Sequence, residues 1–356
     1  MVGEPVARGR AAPARQRSVS RGRREQLPLF ASVSVAGAEV LPRITEADRE
    51  LATRIPSWVR FGTSSWSFPG WRGLVYEGQH TDDELARAGL RAYAQQPLLR
   101  TVSVDRSYYG PLRTADVASY ATQLDEAKAL APSLPAFRVV SKVWDEITTA
   151  VFPGHARYGA RAGQRNPHFL DASRFIEEVL EPYRGFEEHF GPFVFELTPM
   201  PRGTFQAVEL ARRVDAFLTA LPTDFSWAFE LRNQELLTPR WHDVLRAHRS
   251  AHVFTYWTAM PSLRAQLASH GKITSPFTVV RLMLPPFMRY AEKKAEYAPF
   301  DRLVAPQADM RDDVLNILRA AAEADCSEGF VLANNKAEGS APLTVREIAI
   351  RVAREL

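Results

Sequence analysis

The chain has 356 residues, 46% apolar and 24% charged, which is ample for a buried core and fits one large α/β barrel or two smaller domains. Seven arginines against Glu4 and Glu25 give residues 1–25 a local +5, so the net +4 leaves −1 on the rest, and a near-neutral body argues against a dedicated duplex-binding face. A lone cysteine, Cys326, excludes an internal disulfide framework and points to a reducing cytoplasm, and no run approaches the roughly 18 apolar residues of a membrane span.

Residues 1–57 read as a basic tail, disordered through residue 43 because Arg, Ala, Pro, Ser and Gly alternate without a helical period. Arg23-Arg24 precede LPLFASVSVAGA much as a twin-arginine export signal would, but Pro28 and two serines interrupt the apolar part, so export is not expected. In the same stretch Gln26, Leu27, Leu29 and Phe30 of QLPLF resemble the Q-L-x-L-F peptide by which bacterial replication and repair proteins dock on the sliding clamp. The upstream arginines suit DNA phosphates, and an apolar segment packed on the body is the plain alternative. Thr45 is placed to cap a short docking helix over 46–55, with Leu51 and Ile55 on one face.

Residues 58–356 alternate strand and helix patterns. Strands are expected at 60–64, 100–105, 137–142, 193–197, 227–231, 252–257, 278–283 and 329–334. Helices are expected near 83–96, 112–130, 171–188, 204–220, 239–248, 261–269, 309–324 and 345–355. Thr81 with Glu84 and Thr344 with Glu347 fit capping boxes, and Thr238-Pro239 fits a cap followed by proline at the first helical position. Eight such pairs specify a (β/α)8 TIM barrel; FGTSSWSFPGW after the first strand is not the glycine-rich turn of an open dinucleotide-binding sheet.

Parity within the strands separates two faces. Trp227, Phe229 and Leu231 oppose Ala228, Glu230 and Arg232, while Phe193, Phe195 and Leu197 oppose Val194 and Glu196. The bulky face is expected to meet the helices. The other begins apolar inside the barrel and turns polar at its C-terminal end, with Asp105, Lys142, Glu196, Glu230, Arg232, Arg281 and Asn334 or Asn335. Barrel active sites are built at that end, although ion pairs plugging the barrel would leave the same pattern.

FGTSSWSFPGWRGLVY, VSVDRSYYG, VVSK, GPFVFELTP, AFELRN, VVRL and NNKAEGSAP, in this order and spacing, resemble domain of unknown function family 72, the YecE-like proteins, over roughly residues 60–356. The resemblance implies a TIM-type barrel and no established reaction. The chain departs from the family pattern at Ser103 and Asp105, where Glu and Asn are usual, and at Glu196, where Gln is usual.

Glu196 and Glu230 are expected as a proton-transferring pair with split pKa values, and Lys142 as electrostatic help or a nucleophile. Arg232, Arg281, Asn334, Asn335 and Lys336 are expected to anchor an anionic substrate, alongside Asp105. Gly339 and Ser340 are placed where barrels often cradle phosphate, or else form a turn into a capped helix. Trp66 and Tyr109 are candidates for stacking a sugar or base, with loop core as the alternative. None of the eight histidines ends a strand, so no metal or other cofactor is predicted, with a divalent metal left open. The expected function is a cytoplasmic, metal-independent acid–base enzyme for an anionic sugar- or nucleotide-like substrate. The alternative is a DNA-associated binding or repair factor recruited by QLPLF.

Overall fold

The computed structural model describes residues 39–269, 273–285 and 296–356. Eight parallel strands close on themselves in sequence order: β1 (Val59–Thr63), β2 (Thr101–Val104), β3 (Arg138–Lys142), β4 (Phe190–Glu196), β5 (Trp227–Glu230), β6 (Ala251–Tyr256), β7 (Phe277–Leu282) and β8 (Glu328–Ala333). Helices fill the crossovers, giving the expected TIM barrel. The seam is the pairing of β1 with β8, in register from Val59↔Gly329 to Thr63↔Ala333. A Cβ on Gly62 would lie 1.9 Å from the Thr101 carbonyl oxygen, so β1 and β2 approach as only glycine permits.

Strand parity sorts the core into two. Facing outward, Phe195 stacks on Phe229 at 4.6 Å, and Phe175 from the third crossover meets Phe193, Phe195, Phe217 and Trp227. Facing inward, Val140, Val194, Ala228, Val253, Val279 and Leu332 belong to a separate apolar cluster inside the barrel. Small and branched side chains fit a narrow lumen, and each buried valine or leucine among them stabilises the fold by roughly 1.5–3 kcal/mol.

The differences from expectation have local causes. β4 starts at Phe190, ahead of the expected 193, because the barrel accepts Gly191-Pro192 through a register shift between Val139 and Ser141 on β3. The helix expected at 171–188 is broken into a short α turn, a π turn over Phe175–Leu180 and a 3-10 turn over Glu181–Tyr183, where Pro182 cannot supply an N–H. Thr344 caps nothing: the last helix runs Ala341–Glu355 with Ser340 before it, Thr344 lies inside it, and Glu347 pairs instead with Arg311 at 2.9 Å. Thr81 and Glu84 do form a capping box, and Thr45 caps Glu46–Thr53, whose Leu51 is buried. The QLPLF motif, with Gln26, Leu27, Leu29 and Phe30, lies outside the described residues. No helix of the described residues is long and apolar enough to cross a membrane.

Candidate functional site

Two residues beyond each inward-facing apolar side chain, the same face becomes polar. Val140 leads to Lys142, Val194 to Glu196, Ala228 to Glu230, Val253 to Thr255 and Val279 to Arg281, and Arg232 continues past the end of β5. A side-chain period of two therefore carries all of them to the C-terminal end of the lumen.

Glu196 and Glu230 are register partners on adjacent strands, which sets two carboxylates side by side. Like charges so placed repel unless bridged. Two arginines bridge them, and a lysine adds a third cation on Glu196. Arg232 reaches Glu230 Oε1 through Nε and Glu196 Oε1 through Nη1, each at 2.8 Å. Arg281 Nη1 donates to Glu196 Oε2 at 2.8 Å and also to Glu230 Oε2. Lys142 Nζ lies 2.7 Å from Glu196 Oε2, and the Thr255 hydroxyl donates to Glu230 Oε1 at 2.9 Å. At an effective dielectric of about 20, unit charges about 4 Å apart interact by about 4 kcal/mol, so three cations outweigh one repulsion.

The electrostatics follow from that geometry. Burial alone would raise the Glu196 carboxyl, but Arg232, Lys142 and Arg281 together hold it well below the usual carboxylate range. For Glu230 burial again opposes, Arg232 and Arg281 prevail, Glu196 pushes back, and the net shift is downward. Burial would lower Arg232 and Arg281, yet the two glutamates raise both. The expected split into one acid and one base is not met: both carboxyls move down, because each touches two cationic side chains or more. Glu230 is 0% exposed.

Around this floor lies a more open rim. Arg232 stacks over Trp257 at 4.2 Å, and Lys142 Nζ sits 3.9 Å above the Tyr108 ring. Burial raises the Tyr108 hydroxyl well above its usual range, with the Glu196 charge adding to it. Tyr109, 70% exposed, carries Arg157 at 4.8 Å from its ring, and Arg157 also pairs with Asp145. Asp105 accepts from Ser103 at 2.8 Å and lies 3.8 Å from Arg281 Nη2; its side chain is 32% exposed, the most open carboxylate of the network.

The other expected residues make contacts of their own. Trp66 donates to the Leu85 carbonyl and packs edge-on against Tyr120, so it fastens helices and does not face the mouth. Asn335 accepts from Trp71 Nε1 and the Ala341 N–H, which makes it a brace for the β8 exit. Asn334 accepts from the Lys336 N–H on the same turn, and the Lys336 side chain is 8% exposed. Gly339 and Ser340 form no open phosphate cradle. The Gly339 N–H donates to Asn335 O, a Cβ there would lie 2.6 Å from Arg302 O, and Ser340 is 0% exposed. Glu338 anchors this turn by accepting from Arg311 and the Gln307 N–H. Thr255 and Trp257 share the inward parity of Val253 and so were legible in the sequence; Arg157 and Asp145 lie in the loop after β3, where parity gives no signal. Among the described residues, no three His, Cys, Asp or Glu side chains converge as metal ligands.

A family model described as protein of unknown function DUF72 matches residues 60–356. A DUF72 family protein from Enterococcus faecalis is 17% identical over 84% of this chain and 96% of its own, with a TM-score of 0.54. One from Thermotoga maritima is 17% identical over 83% of this chain and 98% of its own, with a TM-score of 0.54. At that identity the likeness concerns the fold alone. No curated protein matches the chain.

Proposed function

The chain belongs to the DUF72 family, and from that premise we propose that its barrel mouth is the active site of an enzyme acting on an anionic sugar- or nucleotide-like substrate. One observation carries the reading: two buried carboxylates and three cations are gathered at the end of the barrel where such enzymes work. A plug needs no such arrangement, since a layer of apolar side chains closes a lumen as stably as buried ion pairs do. In this reading Glu196 and Glu230 are positioning residues. They hold the arginine forks and the Lys142 ammonium in place and remain ionised.

Lys142 and Arg232 each keep donors beyond those used on the glutamates, and they take the substrate's anionic group. Trp257, Tyr108 and Tyr109 flank its ring. Asp105, steered by Ser103, is the carboxylate open to a ligand and carries the proton transfer expected of the glutamates. The test is thermal shift with a panel of sugar phosphates and nucleotides, with and without divalent metals. Anionic members raise Tm, their neutral counterparts do not, and Lys142→Met abolishes the response while the protein still unfolds cooperatively. A wild type indifferent to every anion, or a Lys142→Met protein with an unchanged response, overturns the reading.

A second reading rests on QLPLF in the sequence: recruitment to a sliding clamp, with DNA contacts made by the arginines before it. Capture on purified clamp by the full chain, lost in a Leu29→Ala/Phe30→Ala variant, supports it; equal capture or none ends it.

A further inference from the structure

The N-terminal face of a barrel ordinarily serves stability, yet here it holds a groove of about 690 Å³. Its walls are apolar, with Ile44 and Ile55 flanking the docking helix, Leu98 before β2, and Leu130 and Leu134 before β3. Volume and lining match those of small-molecule sites, which pair apolar walls with a few placed polar groups. Among its polar lining residues, Arg100 is the buried charged one. It is 6% exposed, and its Nε and Nη1 donate to the carbonyls of Pro97 and Pro135 at 3.3 and 3.4 Å, with Nη2 on Gln96 O.

Three carbonyls and no carboxylate surround this cation: among the described residues nothing acidic pairs with it. Arg60 nearby is already matched to Glu328 at 2.7 Å. Burial, and then the Arg60 charge, lower the Arg100 guanidinium to about 10. A buried cation without a counter-charge is costly, and a guanidinium has five N–H groups, so donors remain after three carbonyls are served. Arg49, on the docking helix, also lines the groove, but it is largely exposed and pairs with Glu46 at 3.4 Å, so Arg100 is the buried cation there.

We propose that this groove binds an amphipathic monocarboxylate, its acyl or aryl body along the Ile55, Leu98 and Leu134 walls and its carboxylate on the Arg100 guanidinium. The site lies at the opposite end of the barrel from the mouth, so it stands whether or not the mouth is catalytic. Such a ligand supplies both parts the groove asks for, apolar surface and one negative charge.

The test is calorimetric titration of the full chain with octanoate, 1-octanol and octylamine. Octanoate is expected to bind one site at least roughly tenfold tighter than octanol, as a charge-assisted hydrogen bond implies, and octylamine more weakly still. Arg100→Gln should remove the preference for octanoate and keep octanol binding. Ile55→Asp, at a half-buried wall position, should abolish binding of both and covers the case in which Arg100→Gln fails to fold. No saturable heat, equal affinity for octanoate and octanol, or a preference that survives Arg100→Gln overturns the proposal. So does light scattering that shows a dimer broken by Ile55→Asp and indifferent to octanoate, which would make the groove a face for a second copy.

Discussion

At the C-terminal end of the strands Arg232 and Arg281 are held by carboxylates, whereas at the N-terminal end Arg100 is held by backbone carbonyls. The same side chain, buried in both places, shifts in opposite directions: the glutamates raise the first two, while burial lowers the third. A carbonyl dipole satisfies an N–H without cancelling its charge; a carboxylate does both. The mouth is therefore a closed electrostatic unit that loses much when one member is removed, and the groove holds a charge that a ligand would complete.

The sharpest way to break this comparison is to uncharge one member of the mouth. Glu230→Gln should cost about 3–5 kcal/mol in chemical denaturation, because it leaves Glu196 as the one fully buried carboxylate against Arg232, Arg281 and Lys142. Arg281→Met added to it should recover part of that loss, giving a coupling energy on the order of 2 kcal/mol. Additive losses would mean the pairs do not act as a unit.

Acid separates a third region from the mouth. His252, 2% exposed, is lowered from its usual 6.5 to about 3 by burial and, to a smaller degree, by His242. The unfolded chain then binds the extra proton between those values, so stability falls as pH drops below 6.5, by on the order of 2 kcal/mol by pH 5. The depressed carboxyls of Glu196 and Glu230 stabilise the fold above their ordinary 4.5, and that share fades only below it. Unfolding free energy followed against pH should descend from 6.5 and steepen below 4.5, and His252→Phe should flatten only the upper part.

At the groove, Arg100→Gln should cost just about 1–2 kcal/mol, because removing an uncompensated buried charge offsets much of the loss of its three bonds to carbonyls, and a loss equal to that of Glu230→Gln would erase the contrast between the two ends. The smallest expected change is Thr45→Ala, about 1 kcal/mol from losing the cap that accepts from the Asp48 N–H, read as a lower Tm.

The barrel was legible because period-two strands between helices leave a strong pattern, and so was the convergence of Lys142, Glu196, Glu230, Arg232 and Arg281, which follows from parity. Their partnership was not: a sequence shows that Glu196 and Glu230 end neighbouring strands, and says nothing of how many cations reach each oxygen. Two neighbouring carboxylates read as acid and base in the sequence, whereas in the fold Arg281 bridges them. NNKAEGSAP misled for a related reason, since polar residues at a strand exit fasten a turn as readily as they greet a substrate, and Asn335 and Glu338 do the former. Arg100 carries no such signal in the sequence, because its isolation depends on what the loops after two helices fail to supply.

The seam between β1 and β8 bears on how the cylinder is made. Arg60 and Glu328, which tie it at 2.7 Å, are 268 positions apart, so this closure joins nearly the whole length of the body. During synthesis the first strand emerges long before its final neighbour, and until then it presents an unsatisfied edge to whatever is near. Closure must wait until β8 has left the ribosome, and pairing strands so far apart in sequence makes that step slow.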